Sequence, residues 1–422
     1  MNALDLLYIT GGAIASPWLL RKQREGWRER FGHVGALAPK LKPRLMIHAV
    51  SVGEVNAIRH LMPLLAASEN GIEVVVTVGT DTGLARAKEL FSKQAIVLRY
   101  PIDLSASVTR FLDAVKPDAV ALVELELWPN FIRACSRRSI PVCVINGRLS
   151  ARSFRGYSKL RQVLRSTFAR LTRVAAQDDD YAARFLAMGV PRDRLLVTGT
   201  MKWDAAAVPE SIGAPVPGAD KLAAEMGIDR ARPLVVAGST GPEEEALLHR
   251  ACSEGVQLLC APRKPERFDD AAAALPGCIR RSATKQAGVE RPTGGSRFLL
   301  DTIGELRLAY SLADVVVIGR SFFNLFGSDP LEAAALGKAV VIGPRYGDFE
   351  NAVHVLRSAN AIRVASAAEL PAQLTGLLGN ADERRLLGLN ARGAVLANRG
   401  ASRKHAHMLL ALLPRAGSAS GA

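Results

Sequence analysis

The chain sets acidic and basic side chains where hydrophobic runs give way to small residues. Glu54 ends the stretch His48-Ala49-Val50-Ser51-Val52-Gly53-Glu54. Small residues at such a turn let a ligand approach the backbone. A helix beginning there favours an ionised carboxylate in its first turn by a few tenths to ~1 kcal/mol. An ionised carboxylate at that turn suits a general base, and the same spacing equally suits a residue that only caps the helix. A second group is Glu124-Leu125-Glu126-Leu127-Trp128-Pro129-Asn130. Alternation along a strand sends Glu124 and Glu126 to one side, so a buried carboxylate pair is expected, each raising the cost of ionising the other. Pairing with Arg148 is the plainer alternative. Lys202, in Gly199-Thr200-Met201-Lys202-Trp203-Asp204, adds a cation after the last strand of the first half.

The second half offers groups of a different kind. Gly238-Ser239-Thr240-Gly241, followed by Glu243, Glu244 and Glu245, is a small-residue turn whose helix amides suit a phosphate, although no Walker lysine accompanies it. Ala261-Pro262-Arg263-Lys264-Pro265-Glu266-Arg267 supplies guanidinium groups for bidentate phosphate contact. Asp301-Thr302-Ile303-Gly304-Glu305-Leu306 and Asp329-Pro330-Leu331-Glu332 complete the set, the latter able to hold sugar hydroxyls. The histidines are dispersed without an H-E-x-x-H pattern, the cysteines form no C-x-x-C pair, and Asp178-Asp179-Asp180 reads as a solvated turn. No metal site is expected.

The elements that must carry these groups are short Val- and Ile-rich runs alternating with helical patterns. Strands are expected over 45–50, 73–78, 95–98, 119–123, 142–145, 174–176 and 195–197, with a helix over about 55–65. A second series covers 234–237, 256–260, 298–300, 315–318, 339–342 and 362–364. Continuous apolar runs of this kind belong to parallel sheets buried on both faces, so each series predicts its own doubly wound α/β domain. The expected divisions are an N-terminal membrane segment over 1–30, a first Rossmann-like domain over 31–204 and an Ala-, Pro- and Gly-rich linker over 205–220. A second Rossmann-like domain over 221–416 and a frayed tail over 417–422 complete the chain. Ligands bind at the carboxyl ends of such sheets, which predicts a site between the two domains.

Composition narrows the partners. At 422 residues, 49% hydrophobic and 23% charged, the chain is neither one small module nor disordered. Its 55 basic and 40 acidic residues leave +15, which favours an anionic partner. With aromatics at only 5%, stacked nucleic-acid bases fit poorly. Residues 3–20 are largely apolar, interrupted by Asp5, Gly11-Gly12 and Pro17, and Arg21, Lys22, Arg24, Arg28 and Arg30 follow. That order is the reverse of a cleaved secretory signal. It fits a marginal membrane span or an interfacial anchor, with the basic run on the cytoplasmic side, and also a buried first helix. From Arg133 to Arg173 eleven Arg or Lys residues occur with no Asp or Glu. Such a face suits an anionic membrane surface at about 1 kcal/mol per residue, or plain solvation.

Taken in order, several segments together resemble the bacterial 3-deoxy-D-manno-octulosonic acid (Kdo) transferases of lipopolysaccharide assembly. In the first half they are Arg30-Phe31-Gly32, His48 to Glu54, Thr80-Asp81-Thr82-Gly83, Tyr100-Pro101-Ile102-Asp103, Glu124 to Asn130, Asn146-Gly147-Arg148-Leu149-Ser150 and Met201 to Asp204. In the second they are Ser239-Thr240, Pro262-Arg263, Asp301 to Leu306 and Pro330-Leu331-Glu332. The resemblance spans most of the chain. It implies a GT-B fold and an inverting glycosyltransferase without metal or cofactor. The donor it implies is CMP-Kdo, the acceptor a lipid A precursor (lipid IVA), and the location the cytoplasmic face of the bacterial inner membrane, with no nucleic-acid partner. By position it makes Glu54 the base and gives Glu124 and Lys202 to transition-state stabilisation. It assigns Ser239, Thr240, Pro262, Arg263, Ile303, Gly304, Glu305, Asp329, Pro330, Leu331 and Glu332 to CMP binding. The chain departs from the family pattern at Gly241 and Lys264, where His is common, and at Phe326-Gly327-Ser328-Asp329, where Gly-Gly-His-Asn is usual. Asp329 in place of a neutral amide is expected to repel a nucleotide. These departures keep open a different CMP-activated sugar or acceptor, or a non-catalytic lipid-binding relative.

Overall fold

Runs such as Leu45-Met46-Ile47 and Val74-Val75-Val76 offer no polar face to water, and the fold buries them on both sides. The structure is a computed structural model that describes residues 2, 4–6, 8, 10, 26–35, 37–69, 71–285 and 294–414. The chain forms two units, Met1–Ala205 with Arg399–Ala422, and Ala206–Asn398.

The first unit holds β1 (Arg44–His48), β2 (Glu73–Val78), β3 (Ile96–Arg99), β4 (Ala119–Val123), β5 (Val142–Gly147), β6 (Arg173–Ala176) and β7 (Leu195–Val197). They pair in parallel in the order β3-β2-β1-β4-β5-β6-β7. Leu45 and Ile47 of β1 face one core, with Val74, Val76 and Ala121, while Met46 faces the other, with Val75, Val120 and Leu122. The second unit holds β8 (Leu234–Thr240), β9 (Gln257–Pro262), β10 (Ile279–Arg280), β11 (Arg297–Leu299), β12 (Val315–Ile318), β13 (Ala339–Ile342) and β14 (Arg363–Val364). Their order is β10-β11-β9-β8-β12-β13-β14, again parallel. The two-residue β10 has no hydrophobic run to announce it.

Three expectations need correction. The last helix, Ala401–Leu410, belongs to the first unit, not to a second domain over 221–416. Its Ala401, Ala406 and Leu409 enter the core around Leu45, Ile58, Leu61 and Leu65. Gly400 turns the chain in left-handed backbone, φ 107°, and its amide and that of Ser402 donate to the Asp204 carboxylate at 2.6 Å each. The helix expected over 55–65 is three pieces, Val52–Ala57, the 3-10 turn Ile58–His60, and Leu61–Ala66. Pro63 has no N–H to donate back to Arg59, which breaks the α-helical ladder there.

The N-terminal segment differs too. Asp5 is buried, its carboxylate accepting from the Asn2 and Ser105 amides and from Asn130 Nδ2, and the Tyr8 hydroxyl donates to Asp103. These bonds fix the described start of the segment to the first unit. Arg30 is buried as well, donating to the Gly79 carbonyl and pairing with Asp81, so it is a strut and not part of a membrane-facing run. Residues 11–25, with most of the apolar stretch and Arg21, Lys22 and Arg24, and the tail 417–422 lie outside the described residues. Among the described residues no helix is long and apolar enough to cross a membrane.

Candidate active site

β1 and β4 are neighbours where the strand order of the first sheet reverses. At such a point the carboxyl ends of the strands open the crevice that binds ligands. Glu54 follows β1 and Glu124 follows β4. Both line one cavity of about 260 Å³, together with Leu125, Glu126, Arg148, Ser150, Ser153 and Tyr157.

The Glu54 carboxylate accepts from the Val50 amide at 2.8 Å and from the Ser51 hydroxyl at 2.9 Å, while Ser51 caps the helix Val52–Ala57 through the Glu54 amide. This is a reciprocal cap of the Ser-x-x-Glu kind, and the same carboxylate faces the cavity. Burial pushes the Glu54 carboxyl up to about 7, with Glu124 and Glu126 adding to the push against the Val50 and Ser51 donors. The sequence led us to expect the helix end to keep Glu54 ionised. A helix of 6 residues supplies too little of that field to offset burial beside two other carboxylates.

Strand alternation does not place the second pair. β4 stops at Val123, and Glu124 adopts left-handed backbone with φ 61°. A non-glycine residue held there costs of order 1–3 kcal/mol, and such residues gather at functional sites. Glu124 and Glu126 are half-buried and reach one cavity through this turn. Burial also raises the Glu126 carboxyl, opposed by the Trp128 side chain and reinforced by Glu124. Lys202 opens the short helix Lys202–Ala205 with an exposed side chain and is not among the residues lining this cavity. Its neighbour Met201 donates its amide to Asn146 Oδ1 at 3.0 Å, so the Lys202 segment is tied to the residue two before Arg148.

In the second sheet the order reverses between β8 and β12. Ser239 lies at the end of β8 in left-handed backbone, φ 57°. Gly238 cannot be larger, because a Cβ there would meet the Tyr310 hydroxyl at 1.9 Å. The phenol of Tyr310 is raised by burial and then by Glu332 and Asp329, with Arg263 opposing. Arg263, Asp329 and Glu332 are thus all near enough for their charges to act on this buried phenol. Asp329 Oδ1 accepts the Leu331 amide at 2.9 Å, while Pro330 and Leu331 are buried at the head of the helix Leu331–Ala335. Pro262 is buried at the end of β9, and the exposed Arg263 donates its amide to the Thr240 carbonyl.

Other expectations for this half change. Thr240 is fully buried, its hydroxyl bonded to Glu245 at 2.6 Å. Of the amides expected to receive a phosphate, that of Gly241 is already engaged by a carboxylate. Glu244 accepts from Gly241, Arg320, Ser321 and Phe322, and Arg267 spans both Glu245 oxygens at 3.0 Å. The buried Glu244 carboxylate thus serves amides of two segments that need partners once they leave water. Glu305 is held by Arg281, Thr302 and Lys285. Its carboxyl, although raised by burial, is brought down to about 2 by those donors. Ile303 and Gly304 beside it stand out into solvent, Ile303 at 73% exposure. The departure at Gly241 has a local reason: Leu325 Cδ1 occupies the space, 2.5 Å from where a Cβ would stand. Phe326 lines a separate cavity of about 500 Å³ with Asn324, Arg345, Tyr346 and Glu350.

Sequence reasoning missed Ser150, Ser153 and Tyr157 as cavity residues. The Asn146 to Ser150 motif was the available signal, since Ser150 caps the helix Ala151–Lys159 that carries the other two. Among the described residues no three His, Cys, Asp or Glu side chains converge to hold a metal.

Comparison with known proteins gives the family. The model of the family described as 3-deoxy-D-manno-octulosonic-acid transferase (kdotransferase) matches residues 25–205. The 3-deoxy-D-manno-octulosonic acid transferase of Bordetella pertussis is 33% identical, covering 92% of this chain and 93% of its own. That of Haemophilus influenzae is 32% identical, over 98% and 96%. A glycosyltransferase structure from Rickettsia africae, 12% identical, superposes with a TM-score of 0.58 over 88% of this chain and 99% of its own, which shows a shared GT-B fold. Sequence identity of this extent along nearly the whole chain settles the assignment: the protein belongs to the Kdo transferase family of glycosyltransferases.

Proposed function

We propose that this Kdo transferase takes its sugar from CMP-Kdo and passes it to a hydroxyl of a lipid A precursor at the cytoplasmic face of the inner membrane. The carrying observation is the Glu54 carboxyl, pushed up to about 7 in a cavity shared with Glu124 and Arg148. A base poised near neutral pH can take a proton from an alcohol and release it again. In the proposed reaction Glu54 receives the hydroxyl proton as the acceptor oxygen bonds to the anomeric carbon from the face opposite the phosphate. The anomeric carbon–oxygen bond breaks, CMP leaves with the electron pair, and configuration inverts. Glu124 and Lys202 are assigned to stabilising charge in the transition state. On the second unit Arg263 suits the cytidylate phosphate by bidentate contact, and Ser239, Ile303-Gly304 and Glu332 are assigned to the same nucleotide, while Glu305 shapes its loop through Arg281.

The acceptor assignment draws on the surface next to the cavity. Ser153 and Tyr157 line the cavity from the helix Ala151–Lys159, which has no buried residue. With the next helix, Arg161–Phe168, it exposes Arg152, Arg155, Lys159 and Arg161 beside Leu160 at 58% and Val163 at 65% exposure. Cations interleaved with apolar side chains suit a phosphorylated, acylated acceptor at an anionic bilayer. Purified protein given CMP-Kdo and tetraacylated, bisphosphorylated lipid A should release CMP and add the Kdo mass to the lipid. Reversing Arg152 and Arg155 to Glu should raise the lipid KM roughly thirtyfold, since two phosphate contacts are worth about 1 kcal/mol each. Absence of CMP release under conditions where a relative turns over would refute the proposal.

A further inference from the structure

Asn146, near the end of β5, occupies left-handed backbone, φ 52°. Three parts of the chain hold it. Its Oδ1 accepts the Met201 amide at 3.0 Å, its carbonyl accepts Gln177 Nε2 at 2.9 Å, and its own amide donates to His405 Nε2 at 3.3 Å. His405 is wholly buried and comes from the helix Ala401–Leu410, far along the chain. Asp204 ties down the start of that helix through the Gly400 and Ser402 amides. Two residues after Asn146 stands Arg148, and four after it Ser150, both lining the cavity of Glu54.

We infer that His405 is a positioning residue for the acceptor side, accepting the Asn146 amide and thereby fixing Arg148 and Ser150 against Glu54. A core filler would serve better without nitrogen atoms. When Nε2 accepts, the ring proton sits on Nδ1, and that atom has no partner among the described residues. A buried donor left unpaired costs about 1–3 kcal/mol, a cost that a leucine would avoid. The imidazole keeps the form that can accept, since burial pushes it down to about 4 against the pull of Asp204. Helix Ala401–Leu410 is therefore part of the site assembly, not only a cover for the sheet.

The inference rests on the reading of the Glu54 cavity as the acceptor site, and its test separates the two. Full-length wild type, His405→Leu and His405→Gln are compared in steady-state transfer from CMP-Kdo to tetraacylated lipid A, with hydrogen exchange followed over residues 142–150. The Oε1 of His405→Gln reaches the place of Nε2 and accepts the same amide. His405→Leu should lower kcat about tenfold or more, as small misplacements of reacting groups do, with the KM for CMP-Kdo unchanged and exchange over 142–150 accelerated. His405→Gln should stay within about threefold of wild type with exchange protected. Should the Leu variant not fold, His405→Asn, polar but too short to reach the amide, carries the same expectations. Leu and Gln variants that fall together, both match wild type, or differ only in the KM for CMP-Kdo overturn the inference. An inactive wild type would count against the proposed reaction, and the exchange contrast would then decide the role of His405.

Discussion

Carboxylates gather after strand ends in both sheets, yet their surroundings are opposite. In the first unit Glu54 has one amide and one hydroxyl as donors and faces Glu124 and Glu126. In the second, Glu244 takes four amides, Glu245 a bidentate arginine, and Glu305 an arginine, a lysine and a threonine. Burial pushes Glu54 and Glu305 alike towards the protonated form, and the donors decide the outcome. Glu54 rises to about 7 and Glu305 falls to about 2. A carboxylate with a full set of donors becomes a strut. One with a partial set, facing like charge at the edge of a cavity, can exchange a proton near neutral pH.

The sharpest way to break this contrast is to remove one proton-accepting oxygen. Glu54→Gln keeps the shape and most of the cap but cannot take a proton, so kcat should fall by about 10²–10⁴-fold, the usual worth of a general base. The affinity for CMP-Kdo, measured by calorimetry, should stay as it was. Retained turnover would make Glu54 a helix cap and nothing more.

A smaller effect belongs to the strut. Glu305→Gln loses its pairs with Arg281 and Lys285, at 3.0 Å each, and should destabilise the protein by about 1 kcal/mol at pH 7, discounted for the partly exposed setting. The folded-state pKa lies below that of an unfolded glutamate, so this stability is present above about pH 4.5 and is lost as pH falls towards 2. Thermal unfolding at pH 7 and pH 3 should therefore show a mutant deficit that is smaller, though not absent, at the lower pH.

The same contrast explains what could be read in advance. The strands were legible because short runs such as Val315-Val316-Val317-Ile318 between helical patterns suit a parallel strand buried on both faces, and Glu54 and Glu124 because strand ends at a sheet reversal are fixed by topology. The donors around a carboxylate come from distant segments, as Arg320 to Phe322 do for Glu244, and local spacing carries no trace of them. That is why the spacing gave no sign that Glu244 and Glu245 turn inward after Gly238 to Gly241, and why Glu54 read as ionised. The return of helix Ala401–Leu410 was hidden for the same reason, since its anchors, Asp204 and Asn146, lie in the other half of the sequence.

The finest prediction tests Glu54 through stability alone. Its folded pKa of about 7 stands above the value near 4.3 of an unfolded glutamate. Below about pH 4.3 the group is protonated in both states and burial costs it little. As pH rises towards 7 the unfolded carboxyl ionises freely while the folded one resists, the folded state binds more protons, and stability is lost through that window. The amide that Glu54→Gln introduces does not titrate and has no such dependence. The melting temperature of wild type minus that of Glu54→Gln should therefore decline between pH 5 and pH 8, whereas the corresponding difference for Glu305→Gln should stay flat over that range. Two flat differences would mean that Glu54 ionises as an ordinary surface carboxylate, and the distinction between base and strut would then have to rest on something other than the donors each one lacks.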